Sequence, residues 1–229
     1  MKVVLFCGGL GLRLHPSTEN VPKPIVTVGE KPVLWHLMKY YAHFGHKDFI
    51  LCLGYKGEQI KRFFLNYDEC LSNDFILSNG GKERQLLKSD IEDWRMTFVE
   101  TGLHSSVGQR LKAVQKYLEG EEVFLANYSD AVTDLHLPML IDFFIKRGKI
   151  GCFLAVKPFG TFHVISTSAD GHVKSIRHVD RSGIRINGGF FVFKNRIFDY
   201  INEGEDLVDE PFQRLIKNRR RRLLGSTMF

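Results

Sequence analysis

Four apolar residues near the amino terminus, Val3-Val4-Leu5-Phe6, are broken at once by glycines at positions 8, 9 and 11. A buried strand running straight into glycines lets the backbone approach a ligand closely, with its N–H groups free to point into an anion. The chain then repeats the strand-then-helix order. From Lys31 to Phe44 the apolar residues Val33, Leu34, Leu37, Met38, Tyr41 and Phe44 recur at helical spacing, and Gly45 supplies a stop. Strands are expected at Asp48 to Leu53, Arg95 to Val99, Val123 to Asn127 and Cys152 to Val156, and helices at Glu58 to Tyr67, Gln109 to Leu118 and Leu137 to Ile145. Helices of this length between strands imply right-handed crossovers and a mostly parallel sheet covered on both faces.

After Pro158 the texture changes. Phe162 to Ser166 and His172 to Arg177 flank Ala169-Asp170-Gly171, a hairpin turn, and Phe190 to Phe193 reads as another strand before a last helix around Pro211 to Ile216. The second half is therefore expected to add antiparallel strands to the sheet. No linker composition and no repeat interrupts the chain, so residues 1–216 read as a single α/β domain, with a mixed, mostly parallel Rossmann-like sheet, and 217–229 as a basic tail.

Composition narrows the classes. At 229 residues and 44% hydrophobic content the chain can bury one sizeable core. No apolar run approaches the ~20 residues of a membrane span, and the first apolar run is too short for a signal peptide, which gives the expectation of a cytoplasmic protein. The four cysteines, at 7, 52, 70 and 152, form no C-x-x-C pair, and Cys7 and Cys52 sit in strand-like runs as buried thiols. The net charge of +6 is local: Lys217 and Arg219, Arg220, Arg221 and Arg222 supply five positive charges, and the rest of the chain is near neutral. That argues against a broad nucleic-acid face and for a solvated helix end or tail. His36, His43 and His46 fall near one helix but have no matching acid or cysteine, so packing or exposure is preferred to a metal site.

Two common phosphate loops fail here. A P-loop requires Gly-Lys-Ser/Thr, which is absent, and a dinucleotide fingerprint requires a third glycine where Leu14 stands and an acid after the second strand, where Leu53-Gly54-Tyr55 is found. What the loop offers is Arg13, able to grip phosphate oxygens in a fork, and Lys23, stiffened between Pro22 and Pro24.

Gly-Gly-x-Gly-x-Arg-Leu followed by Pro-Lys-Pro resembles the signature of the sugar-1-phosphate nucleotidyltransferases. Leu34 to Lys39, Phe49 to Gly57 and Ile186 to Val192 are similar to the members that use CTP and glucose-1-phosphate. The resemblance runs from Met1 to about Leu215. It implies a nucleoside triphosphate held by Gly8, Gly9, Gly11 and Arg13, with Lys23 contacting phosphate and stabilising transition-state charge. It also implies nucleotide contacts at Ser105 and Arg110, a sugar-binding strand at Asn187 and Gly188, Mg²⁺ at Asp130, and a homo-oligomer.

Three positions differ from that family's pattern. Ser129-Asp130-Ala131 stands for Gly-Asp-Gly, Arg177-His178-Val179-Asp180-Arg181 lacks Glu-Lys-Pro, and 217–229 carry no second metal aspartate in a Met-Asp-Thr-like context. Asp199, Asp206 and Asp209 do not fit that motif. The alternative these differences leave is a homologue that binds nucleotide and sugar phosphate, does little chemistry and serves a regulatory role.

Overall fold

The structure is a computed structural model that describes residues 1–10 and 21–222, with side chains through residue 217. In chain order the elements are β1 (Val3–Phe6), β2 (Thr27–Val28), β3 (Lys31–Pro32), α1 (Val33–His43), β4 (Asp48–Leu53), α2 (Gly57–Leu65), β5 (Phe75–Ser78), β6 (Glu83–Leu86), β7 (Arg95–Glu100), α3 (Val107–Ala113), β8 (Val123–Asn127), α4 (Leu137–Arg147), β9 (Gly151–Val156), β10 (His163–Thr167), β11 (Val173–His178), β12 (Ile186–Lys194) and α5 (Glu210–Arg222).

Six strands form the central sheet in the order β7-β4-β1-β8-β12-β9. β1 pairs in parallel with β4 and β8, and β4 with β7. β12 runs antiparallel to both β8 and β9. The expected mixed, mostly parallel sheet is therefore the one observed. The β10–β11 hairpin forms as expected but stands as its own two-stranded sheet instead of extending the central one.

β1 is buried at every position because both faces are covered. Val3, Leu5, Leu51, Leu125 and Val192 face one side, packed by Leu34, Leu37 and Tyr41 of α1, Ile60 of α2 and Leu140 and Phe144 of α4. Val4, Phe6, Ile50, Phe124 and Phe191 face the other, against Leu111 and Val114, the Asn195–Tyr200 turn with Ile197 and Phe198, and Phe212 of α5. This is the period-two alternation of a strand, displayed on both faces of one sheet. Cys7 and Cys52 are buried, as expected, and so is Trp94.

Local differences have physical causes. The helix expected at Gln109 to Leu118 starts earlier and breaks. Ser106 accepts from the Gln109 N–H while the Gln109 side chain accepts from the Ser106 N–H, a capping box that fixes the start. Val114 ends α3, and a 3-10 turn continues over Gln115–Leu118. The β5–β6 hairpin carries no sequence signal because every residue of both strands is exposed, so no alternation marks it. α5 runs continuously from Glu210 through Arg222, across the expected start of a tail at 217. Among the described residues, no helix is long and apolar enough to cross a membrane.

Candidate active site

The chain order moves outward from β1 to β4 and β7, then returns to β8 on the other side of β1. Ligands in open α/β sheets bind outside the carboxyl ends of the strands where the order reverses. Gly8 follows β1 at that edge, Gly54 follows β4, Gly102 follows β7, and Ser129 and Asp130 follow β8.

Asp130 and Lys23 come together there. Lys23 opens a 3-10 turn over Lys23–Ile25 with Pro22 as its cap, and its Nζ lies 3.6 Å from Asp130 Oδ2. Both side chains are partly open to solvent, at 27% and 38%. A cation and a carboxylate are thus available to a ligand without either being sealed in the core. Ser129, where the family pattern has glycine, adopts the left-handed conformation glycine favours, with φ 65°. The cost is offset locally. Its N–H donates to Asn127 Oδ1 at 2.7 Å and its hydroxyl donates to the Phe6 carbonyl at 2.8 Å, tying the Asp130 turn to β1. The serine therefore preserves the backbone path that brings Asp130 to the site.

Arg110 is brought to the same place but from beneath. It is 3% exposed. One terminal nitrogen donates to Leu53 O (3.1 Å), Thr101 Oγ1 (2.7 Å) and Gly102 O (2.8 Å), and the other to Gly8 O (2.9 Å) and Leu103 O (3.3 Å). Burial lowers its pKa. A Cβ at Gly8 would stand 2.1 Å from the guanidinium, and one at Gly54 2.7 Å from it. A Cβ at Gly9 would meet no atom of the described residues within 4 Å. Gly8 is thus required by a contact inside the protein. Ser105 donates its hydroxyl to the Thr101 carbonyl across Gly102, whose φ is +95°.

Asn187 and Gly188 lie on β12, on the other side of β8. Asn187 donates to the Tyr128 hydroxyl at 3.1 Å and accepts from the Gly189 N–H at 2.9 Å, so both ends of its carboxamide are held. A Cβ at Gly188 would come within 3.1 Å of Leu154 O, and one at Gly189 within 2.8 Å of the Tyr128 ring. The sequence motifs do not single out Tyr128. It is half-buried against Phe191, with ring centroids 5.1 Å apart. Burial pushes its phenol up to about 12, with Asp206, Asp130 and Asp209 acting in the same direction against the Asn187 hydrogen bond. The Tyr128-Ser129-Asp130 triplet carries no periodic signal for it, since β8 ends at Asn127 and Ser129 breaks the strand geometry. Gly11 and Arg13 lie outside the described residues.

Among the described residues, no group of three His, Cys, Asp or Glu side chains could hold a metal alone. Asp130 presents one carboxylate at a solvent-open position. That suits Mg²⁺, which keeps waters and phosphate oxygens and needs one or two protein carboxylates.

The nucleotidyl transferase family matches residues 2–224. The chain is 38% identical over 220 residues to the probable glucose-1-phosphate cytidylyltransferase of Bacillus subtilis (strain 168), spanning 95% of this chain and 85% of that protein. It is 41% identical over 217 residues to the glucose-1-phosphate cytidylyltransferase of Salmonella typhi, spanning 94% of this chain and 84% of that protein. Among solved structures, UDP-glucose pyrophosphorylase complexed with UDP-glucose superposes with a TM-score of 0.65 at 14% identity, covering 95% of this chain and 87% of that one, a likeness of fold. Matched over nearly its whole length and on this sheet, the chain belongs to the nucleotidyl transferase family, among the sugar-1-phosphate nucleotidyltransferases.

Proposed function

We propose that this chain transfers a cytidylyl group from CTP to glucose-1-phosphate. A phosphate oxygen of the sugar phosphate attacks the α-phosphorus of the triphosphate. The new P–O bond forms as the bond to the β-phosphate bridging oxygen breaks, and pyrophosphate leaves with that electron pair. No enzyme-linked intermediate is needed, so the protein's task is positioning and charge neutralisation.

The observation that carries this reading is the Lys23–Asp130 pair, which joins the Lys23–Ile25 turn to the carboxyl end of β8. Lys23 Nζ is placed to hold negative charge that develops on the phosphates, and its flanking prolines fix the backbone that carries it. Gly8 and Gly9, with Gly11 and Arg13, hold the triphosphate. Asn187, with its carboxamide fixed by Tyr128 and Gly189, orients the sugar beside Gly188. Ser105 shapes the nucleotide side through its bond to Thr101. Mg²⁺, held at Asp130 and by phosphate oxygens, would supply electrostatic stabilisation of the pentavalent phosphorus. A homo-oligomer fits the apolar side chains left exposed on the two hairpins, among them Ile76, Leu77, Ile165 and Ile176. Nothing in the described geometry favours the binding-only homologue over the enzyme.

Product analysis tests the reaction. CTP, glucose-1-phosphate and Mg²⁺ are expected to give CDP-glucose and pyrophosphate in equal amounts. Triphosphate hydrolysis that ignores the sugar phosphate would overturn the reading.

A further inference from the structure

Asn127 is the last residue of β8 and is 1% exposed. A carboxamide is a poor filler for a sheet interior. Its Nδ2 has no hydrogen-bond partner among the described residues; the Tyr41 hydroxyl lies near enough to feel it but outside hydrogen-bond geometry. A buried N–H left unpartnered costs stability. What the carboxamide supplies is its other end: Asn127 Oδ1 accepts from the Ser129 N–H at 2.7 Å, one residue before Asp130. We propose that Asn127 is a positioning residue for Asp130, its carboxamide oxygen fixing the turn that aims the Asp130 carboxylate at Mg²⁺ and the triphosphate; the proposal rests on the metal-site reading above.

The base of the turn is rigid. Asn127 is paired with Leu5 of β1 on one side and with Phe190 of β12 on the other, so its backbone is fixed in the middle of the sheet. Between Asn127 and Asp130 the chain must leave that sheet. Ser129 turns it with φ 65°, a conformation that a residue other than glycine keeps only when its surroundings hold it there. An acceptor two residues upstream is the Asx-turn arrangement, in which a side-chain oxygen stands in for a backbone carbonyl. With the Ser129 N–H held from inside the core, the peptide that carries Asp130 is held against swinging, and the carboxylate emerges 3.6 Å from Lys23 Nζ. The oxygen that does this is sealed from solvent, so water does not compete for the Ser129 N–H. Outer hydrogen bonds that orient a metal-holding carboxylate typically govern metal affinity by about 10- to 100-fold.

Asn127→Thr and Asn127→Val test it as a pair. Both remove the unpartnered Nδ2 and both suit a strand, but threonine offers an oxygen to the Ser129 N–H where valine offers a methyl. In the nucleotide-free full chain, exchange of the Ser129, Asp130 and Ala131 amides is expected to quicken about tenfold or more in Asn127→Val and to stay within about threefold of wild type in Asn127→Thr, while Leu125 stays protected in both. In steady state with saturating CTP and glucose-1-phosphate, the Mg²⁺ concentration for half-maximal rate is expected to rise about 10- to 100-fold in Asn127→Val and to stay near wild type in Asn127→Thr. KM for glucose-1-phosphate should be unchanged in both. A packing role would move the two variants alike, and a general loosening of the site would raise KM for glucose-1-phosphate as well; either result overturns the proposal. So does an Asn127→Val protein whose exchange and Mg²⁺ requirement match wild type. Asn127→Ser against Asn127→Ala repeats the comparison with smaller side chains should the valine variant fail to fold. The exchange measurement needs neither metal nor nucleotide, so it decides the turn-holding role even where wild-type protein shows no transferase activity, the result that would instead remove the reading of the site.

Discussion

Lys23 Nζ stands 3.6 Å from Asp130 Oδ2, joining a proline-stiffened turn to the end of β8. The two residues are 27% and 38% exposed, so their attraction adds under about 1 kcal/mol to folding.

Lys23→Ala is accordingly expected to lower kcat/KM by ~10²–10³, the usual scale for removing one preorganised charge donor at a reacting phosphate. Urea unfolding of the same variant should differ from wild type by less than about 1 kcal/mol. A stability loss large enough to explain the rate loss would contradict this division of labour.

Ser129 gives a stability order that departs from ordinary propensity. At φ 65° glycine is relaxed and alanine is strained, and the serine hydroxyl donates to Phe6 O in a fully buried site. Ser129→Ala loses the hydrogen bond and keeps the strain, a cost of about 1–3 kcal/mol. Ser129→Gly loses the same bond but relieves the strain and should be the more stable of the two. Urea midpoints decide it.

Tyr128→Phe removes the group that receives the Asn187 amide. KM for the sugar phosphate should rise about fivefold to tenfold, matching one hydrogen bond of about 1 kcal/mol, with KM for the triphosphate unaltered. Burial keeps the phenol protonated to about pH 12, so no step in the activity profile below that pH belongs to Tyr128.

Alkaline stability follows from buried acids. Burial pushes the Cys7 thiol from 9.0 up to about 12 and the Tyr128 phenol from 10.0 up to about 12. Both groups ionise first in the unfolded chain, so their contribution is complete below pH 9 and is lost as pH climbs toward 12. Unfolding free energy should fall across that window, and Cys7→Ala should make the decline shallower between pH 9 and 12.

How much of this was legible depended on burial. Asp48–Leu53 could be bounded to the residue because five of its six positions are buried and apolar. The Phe75–Leu86 hairpin was invisible because its strands face solvent on both sides. Asp130 and Lys23 could each be singled out in the sequence, while their contact could not, since 107 positions of chain separate them and the fold alone brings them together. Arg110 shows the same limit. The glycine at position 8 is plain in the sequence, yet its cause is a guanidinium far along the chain. One hint was present: Arg110 falls on the buried side of α3 beside Leu111, with Val114 following at helical spacing. An arginine on an apolar stripe points inward.

The most direct measurement is pyrophosphate release by the purified chain with Mg²⁺, glucose-1-phosphate and each of the four ribonucleoside triphosphates, with Asp130→Ala and Lys23→Ala alongside. Release that requires the sugar phosphate, is greatest with CTP and collapses in both variants is the expected result. Release that is absent from wild type, or that persists undiminished in Asp130→Ala and Lys23→Ala, would contradict the assignment of this site.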